Sequence, residues 1–141
     1  MPNHCMNTLR ISETALPVIL SRYIRKDEQG EDVFDFEKII PTDGETDWLD
    51  QRIEKWGTKW IGYDLIIGVS TIDFFTAWSP PIPVIRKLAE LHKDVTFTLE
   101  YAEPGMMFRG IAVAKWQDNA VLLEDTCRDM TEQDLKALGL V

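Results

Sequence analysis

Soft ligands are scarce in this 141-residue sequence: two cysteines and two histidines, Cys5, Cys127, His4 and His92, with no C-x₂-C or H-x₃-H pairing among them. Structural zinc sites draw on paired ligands at short spacing, and a four-cysteine iron–sulfur cluster needs more cysteines than one chain supplies. No metal or other cofactor is therefore expected. The sequence also has no G-x-x-x-x-G-K-[ST] phosphate loop and no G-x-S-x-G elbow, which removes two common routes to phosphoryl and acyl transfer. Cys5 with His4 or His92 stays open on spacing alone, because catalytic groups assemble in space. A cysteine at the head of a strand is nevertheless more often packed than reactive. No apolar run approaches the roughly 18 residues of a membrane span. The start, MPNHCMNTLR, shows no basic stretch followed by an apolar one, so a secretory signal is not expected. The expected location is the bacterial cytoplasm, with free thiols, although a bridge between Cys5 and Cys127 stays open.

Positive charge is short as well. The formal balance is −9, and residues 27–54 carry all of it, with eleven acids against Lys38 and Arg52. Direct binding to a phosphate backbone demands a basic face, so nucleic acid is not an expected partner. The imbalance favours either a basic protein partner or plain solubility. Carboxylates suitable for acid–base hydrolysis are abundant, but abundance in loops and on polar helix faces is ordinary solvated charge.

What is present reads as alternating strands and helices. Residues 5–11 suggest a strand with Leu9 and Ile11 on one face. Ser12 or Thr14 can then cap a helix running to about Lys26, its buried side carrying Leu16, Ile19, Leu20 and Tyr23. FDFEKIIP at 34–41 reads as extended. Asp47 with Asp50 resembles a capping box, opening a helix that Gly57 stops and that carries Leu49, Ile53 and Trp56 on one side. Residues 61–69 and 72–78 suggest two strands turning at Ser70, and SPPIP suits the opening of the next helix, to about Lys93. In VTFTLEY at 95–101, Val95, Phe97, Leu99 and Tyr101 alternate with polar residues, as in a strand buried on one face. Residues 107–116 and 120–125 predict a hairpin around Asp118-Asn119, and Thr131 with Asp134 predicts a last capped helix.

This order predicts an α+β fold, a ferredoxin-like βαββαβ unit with an antiparallel sheet and helices on one face. A single domain over residues 1–141 is expected, with an acidic insertion at about 27–57 and a C-terminal extension at about 107–141. The exposed face of such a sheet binds RNA when aromatics line it, but Thr96, Thr98 and Glu100 fall there instead.

The words PNHCMNTLRIS, FEKIIP, WGTKW, FFTAWSPPIPVI and FTLEYAEPGMMFRG, in that order, resemble the YubB-like proteins of bacteriophages and conjugative plasmids. The resemblance runs from Pro2 to about Lys115. It implies a ferredoxin-like domain in a mobile genetic element, and it brings no established activity and no catalytic residues.

Two candidate binding features remain. WGTKW places Trp56, Lys59 and Trp60 at a chain corner, and Trp78 follows at the prolines. These could form a packing corner, or a groove with Met106, Met107 and Phe108 that suits a protein or peptide. Asp43, Glu45, Asp47 and Asp50 are either a solvated insertion or an acidic docking surface that imitates a nucleic-acid backbone. The reading is a non-enzymatic protein that binds a basic host or element protein, with an anti-defence role in view. The alternative is a small-molecule or nucleotide-binding domain, or a hydrolase, with a pocket near the tryptophans. A homo-oligomer through an open strand edge is a third option.

Overall fold

The computed structural model describes residues 3–44 and 47–141. Strand β1 (His4–Arg10) buries Cys5, Asn7 and Leu9 and turns the alternate residues outward, the period-two pattern of a strand covered on one side. It lies at the centre of a six-stranded sheet, between β5 (Thr71–Ala77) and β6 (Phe97–Glu103). β4 (Tyr63–Ile67) flanks β5, while β7 (Phe108–Gln117) and β8 (Ala120–Asp129) continue beyond β6. Every neighbouring pair is antiparallel.

Helices α1 (Leu16–Tyr23) and α3 (Ile82–Leu91) supply the two crossovers. The unit β1-α1-β4-β5-α3-β6 places its first strand between its third and fourth. This is the ferredoxin-like arrangement the element order predicts. Leu16 and Ile19 of α1 and Val84, Ile85 and Leu88 of α3 meet Leu9, Ile72, Phe74, Phe97 and Leu99 in one core. Each such side chain contributes roughly 1.5–3 kcal/mol by leaving water. Ala112 and Ala114 of β7 are wholly buried, and α3 packs over them.

The C-terminal extension forms where the sequence places it. Asp118 and Asn119 have φ of 54° and 64°, the left-handed pair of a type I′ turn, and β8 runs four residues past the expected end. Helix α4 (Glu132–Ala137) has the expected reciprocal cap between Thr131 and Asp134. Cys5 is buried, Cys127 is exposed, and both are free thiols.

The insertion departs from expectation. The first helix stops at Tyr23 rather than Lys26, because Ile24–Lys26 (β2) turns back to pair with Asp32–Phe34 (β3). The Asp27 carboxylate holds that turn by accepting from the Gln29 and Glu31 amides, each at 2.9 Å, and Gly30 takes φ 81°. Phe36–Lys38 is a 3₁₀ turn rather than extended, since the Asp35 carboxylate accepts from the Glu37 amide. In β4 the register slips between Tyr63 and Ile66, where Asp64 adopts φ 53°. Helix α2 (Trp48–Trp56) ends as predicted at Gly57, φ 78°. Asp47 makes no side-chain cap there; its carboxylate accepts from the Gln51 amide nitrogen at 2.8 Å.

Candidate functional site

The WGTKW corner divides its residues between core and surface. Trp56 is wholly buried, edge-on to Phe36, and its indole N–H donates to the Ile40 carbonyl at 2.8 Å. It offers nothing to a ligand, so its expected place in a groove is corrected. Gly57 turns the chain tightly against the prolines: a Cβ there would lie 2.8 Å from Pro83 Cδ and 3.2 Å from the Pro80 carbonyl. The buried Thr58 hydroxyl donates to the Ala77 carbonyl and accepts from the Ala77 amide, tying the corner to the end of β5. The next two residues, Lys59 and Trp60, are half-buried. Lys59 Nζ sits 5.6 Å from the Trp60 ring and 5.5 Å from the Trp78 ring, a cation between two indoles. Trp78 has φ 69° and is 44% exposed.

Beside this corner lies a cleft of about 490 Å³. Val33 and Ile61 give it apolar surface, Trp60 and Tyr63 aromatic surface, and Arg25, Arg52, Asp27, Asp35 and Glu37 charge. The rings of Trp60 and Tyr63 meet edge to face at 5.8 Å. Most of the carboxylates are already engaged. Asp35 accepts from Arg25 Nε at 2.6 Å, and Glu37 accepts from the Thr42 amide at 2.9 Å and from the Thr42 hydroxyl. The Arg52 guanidinium is 5.0 Å from both the Trp48 and Trp56 ring centres and donates one terminal N–H to the Lys59 carbonyl. Its Nε is buried without a hydrogen-bond partner. The Tyr63 hydroxyl shares a hydrogen bond with His4 Nδ1, and burial, helped by the nearby Asp64 charge, pushes its pKa up to about 12. It therefore acts near neutral pH as a hydrogen-bonding group and not as a base.

The acidic residues form a second feature on α2. The Gln51 side-chain nitrogen donates to Asp43 at 2.5 Å as well as to Asp47. Asp50 stands exposed in the first turn of the helix, and Glu45 lies outside the described residues. Leu49 and Ile53, expected to share the buried side of Trp56, point outward instead, at 38% and 45% exposure, beside Trp48 at 42%. The helix buries Trp56 and Gln51, while Leu49, on nearly the same face as Trp56 but two turns earlier, and Ile53 stay exposed. Its cations are held inward, Arg52 between the two indoles and Lys55 on the Pro41 carbonyl at 3.4 Å.

Met107 ends another loop and Phe108 opens β7. Phe108 packs on Tyr101 at 6.2 Å, and the Met107 carbonyl accepts from the Met130 amide at 2.7 Å. Asn3 lies between that loop and Trp78, bonded through its carbonyl to the Trp78 amide and close against Gly105. The thiol–imidazole pairings left open by the sequence do not form. His92 bonds Tyr23 at 2.6 Å, His4 bonds Tyr63, and burial pushes the Cys5 thiol up to about 12, away from an active thiolate. Among the described residues, no three His, Cys, Asp or Glu side chains are grouped to hold a metal ion, and no helix is long and apolar enough to cross a membrane.

The sequence pointed to Trp60 but gave no sign of its cleft partners Arg25, Asp35 and Tyr63, which come together only through the β2–β3 hairpin and the bulge in β4.

A search of curated proteins returned no match. Among solved structures, the protein api92 from Yersinia pseudotuberculosis resembles this chain with a TM-score of 0.51 and 18% identity over 69% of its residues. At that identity the likeness speaks for the fold alone. The chain spans 39% of the api92 chain. A family model described as the ferredoxin-like domain in Api92-like protein matches residues 55–137, from the end of α2 to the end of α4. This chain belongs to that family.

Proposed function

We propose that the protein works by binding, and that the outer face of α2 docks a basic protein segment. The observation that carries this reading is the pair of exposed aliphatic side chains Leu49 and Ile53, one turn apart on α2, on a helix that also exposes Asp50 and Glu54 and follows the exposed Asp43 and Asp47. An apolar centre inside a charged rim is the anatomy of a protein interface, where a few buried anchors carry the energy and the rim charges set partner choice and encounter rate. Because Arg52 and Lys55 are occupied with their own chain, the rim is negative, and the complementary surface carries Lys or Arg around apolar side chains. The likeness of the sequence words to YubB-like proteins, and not the Api92-like family, suggests a setting for this reading, the cytoplasm of a bacterium carrying a phage or plasmid. There an acidic surface could occupy the nucleic-acid cleft of a host defence protein.

A photo-crosslinking residue placed at Leu49 or Ile53, with Thr98 on the opposite face of the sheet as the control position, tests the reading in bacterial cells. The expected result is crosslinking to a basic protein from the α2 positions alone, abolished by the joint reversal Asp43→Lys, Asp47→Lys and Asp50→Lys. Equal yields from all three positions, or products unaffected by the charge reversal, would overturn it.

A further inference from the structure

The geometry points to the cleft between the β2–β3 hairpin and the start of β4 as a binding site for a nucleobase or nucleoside, stacked on Trp60 and edge-bonded by Arg25, Arg52 and Asp35. At about 490 Å³ the cleft falls in the size range of small-molecule sites, which combine apolar walls with a few polar groups. Its lining combines the aromatic rings of Trp60 and Tyr63, the apolar Val33 and Ile61, and polar groups mixed in sign. Two guanidiniums face three carboxylates, so the local charge is close to balance and gives a polyanion no attraction. A planar ligand with donors and acceptors alternating along one edge fits that mixture, and a nucleobase has that edge.

The inventory of donors narrows the fit. Asp35 and Glu37 each spend lone pairs on neighbouring groups of the chain. Arg52 is different: its guanidinium lies 5.0 Å from both indole centres, one terminal nitrogen is tied to the Lys59 carbonyl and the buried Nε is closed to a ligand, which leaves the second terminal nitrogen to donate. A held guanidinium with one terminal nitrogen unspent, beside the half-buried Trp60 ring, recognises a ring acceptor at little entropic cost. The site is distinct from the outer face of α2, to which only Arg52 is near.

Calorimetric titration of the whole protein with adenosine, guanosine, cytidine and uridine, their 5′-monophosphates, and free phenylalanine and tryptophan tests this. The expected result is saturable binding of at least one nucleoside, weakened about tenfold or more by Trp60→Ala, the loss of one base–aromatic stack. Trp60→Phe, which keeps a ring, restores binding to within about threefold, on the same stacking argument. Leu49→Ser leaves it unchanged, separating this site from the docking face. Four results would overturn the inference. These are no saturable nucleoside binding, binding indifferent to Trp60→Ala in a protein that still melts cooperatively, a monophosphate preferred more than about tenfold, and tighter binding of the aromatic amino acids.

Discussion

The Tyr101 hydroxyl of β6 donates to the Asp125 carboxylate of β8, 2.6 Å away, across the intervening strand β7. It can do so because Gly110 stands directly opposite Tyr101 in the ladder and has no side chain. A Cβ at Gly110 would lie 2.3 Å from the Tyr101 hydroxyl oxygen and 2.6 Å from the Thr126 carbonyl. Gly110→Ala must therefore push the ring aside and break the bond to Asp125. We expect a loss of about 1–3 kcal/mol in urea unfolding, the usual cost of overpacking. Asp125→Ala alone costs about 1–2 kcal/mol, and much less when Gly110→Ala is already present, because both changes remove the same bond. Full additivity would show that the two positions are uncoupled.

Elements stabilised by contacts close in sequence were legible in advance. Alternation in β6, the Asp118-Asn119 turn and the Thr131–Asp134 cap each depend on a few neighbouring residues. The β2–β3 hairpin was not legible, because Ile24, Arg25 and Lys26 continue the helical pattern of α1 and only the Asp27 turn diverts them. Leu49 and Ile53 mark an amphipathic helix whichever way it faces. Burial reaches Trp56 but not Leu49, two turns earlier on nearly the same face, a difference that periodicity does not reveal. The cleft joins residues from Arg25 to Tyr63 and so has no local signature.

Cys5 and Cys127 should differ in reactivity. Cys127 is exposed and Cys5 is enclosed, with its pKa raised by burial from 9.0 to about 12. At pH 8 iodoacetamide is expected to label one thiol quickly and the second only at the rate of unfolding, with peptide mass mapping to identify each. The thiol of Cys5 is favoured over the thiolate in the folded state. Its contribution to stability is therefore complete below pH 9 and is lost as pH rises toward 12. Cys5→Val should flatten the decline of stability across that range. Equal labelling rates at pH 8 would contradict the burial argument.

Asp134 links α4 to the end of β8. Its carboxylate takes Arg128 at 2.8 Å, Arg109 at 3.2 Å and the Thr131 amide at 2.7 Å. The Arg128 hydrogen bond, followed by that of Thr131, holds its pKa well below the ordinary 3.8. A lowered folded-state pKa contributes stability above 3.8 that disappears as pH falls below it. The protection factors of α4 amides should consequently fall as pH drops below 3.8, where the carboxylate of the opened state takes up its proton while that of the folded state does not. Asp134→Asn should show the same low protection at neutral pH. If acid leaves α4 protected in the unmodified protein, the carboxylate is not what fastens it.

The outward face of α2 predicts a contrast in stability among three side chains that share one helix. Trp56 is wholly buried, so Trp56→Ala removes a large core residue and should cost about 3–5 kcal/mol. Leu49 and Ile53 already contact water, and replacing both with serine should change the unfolding free energy by less than about 0.5 kcal/mol each, as for ordinary surface positions. Chemical denaturation followed by tryptophan fluorescence measures all three. Large losses at Leu49 and Ile53 would mean that they pack inward in solution and would remove the docking surface. Small losses would mean that two aliphatic side chains stay in water without stabilising the fold, as the docking reading requires.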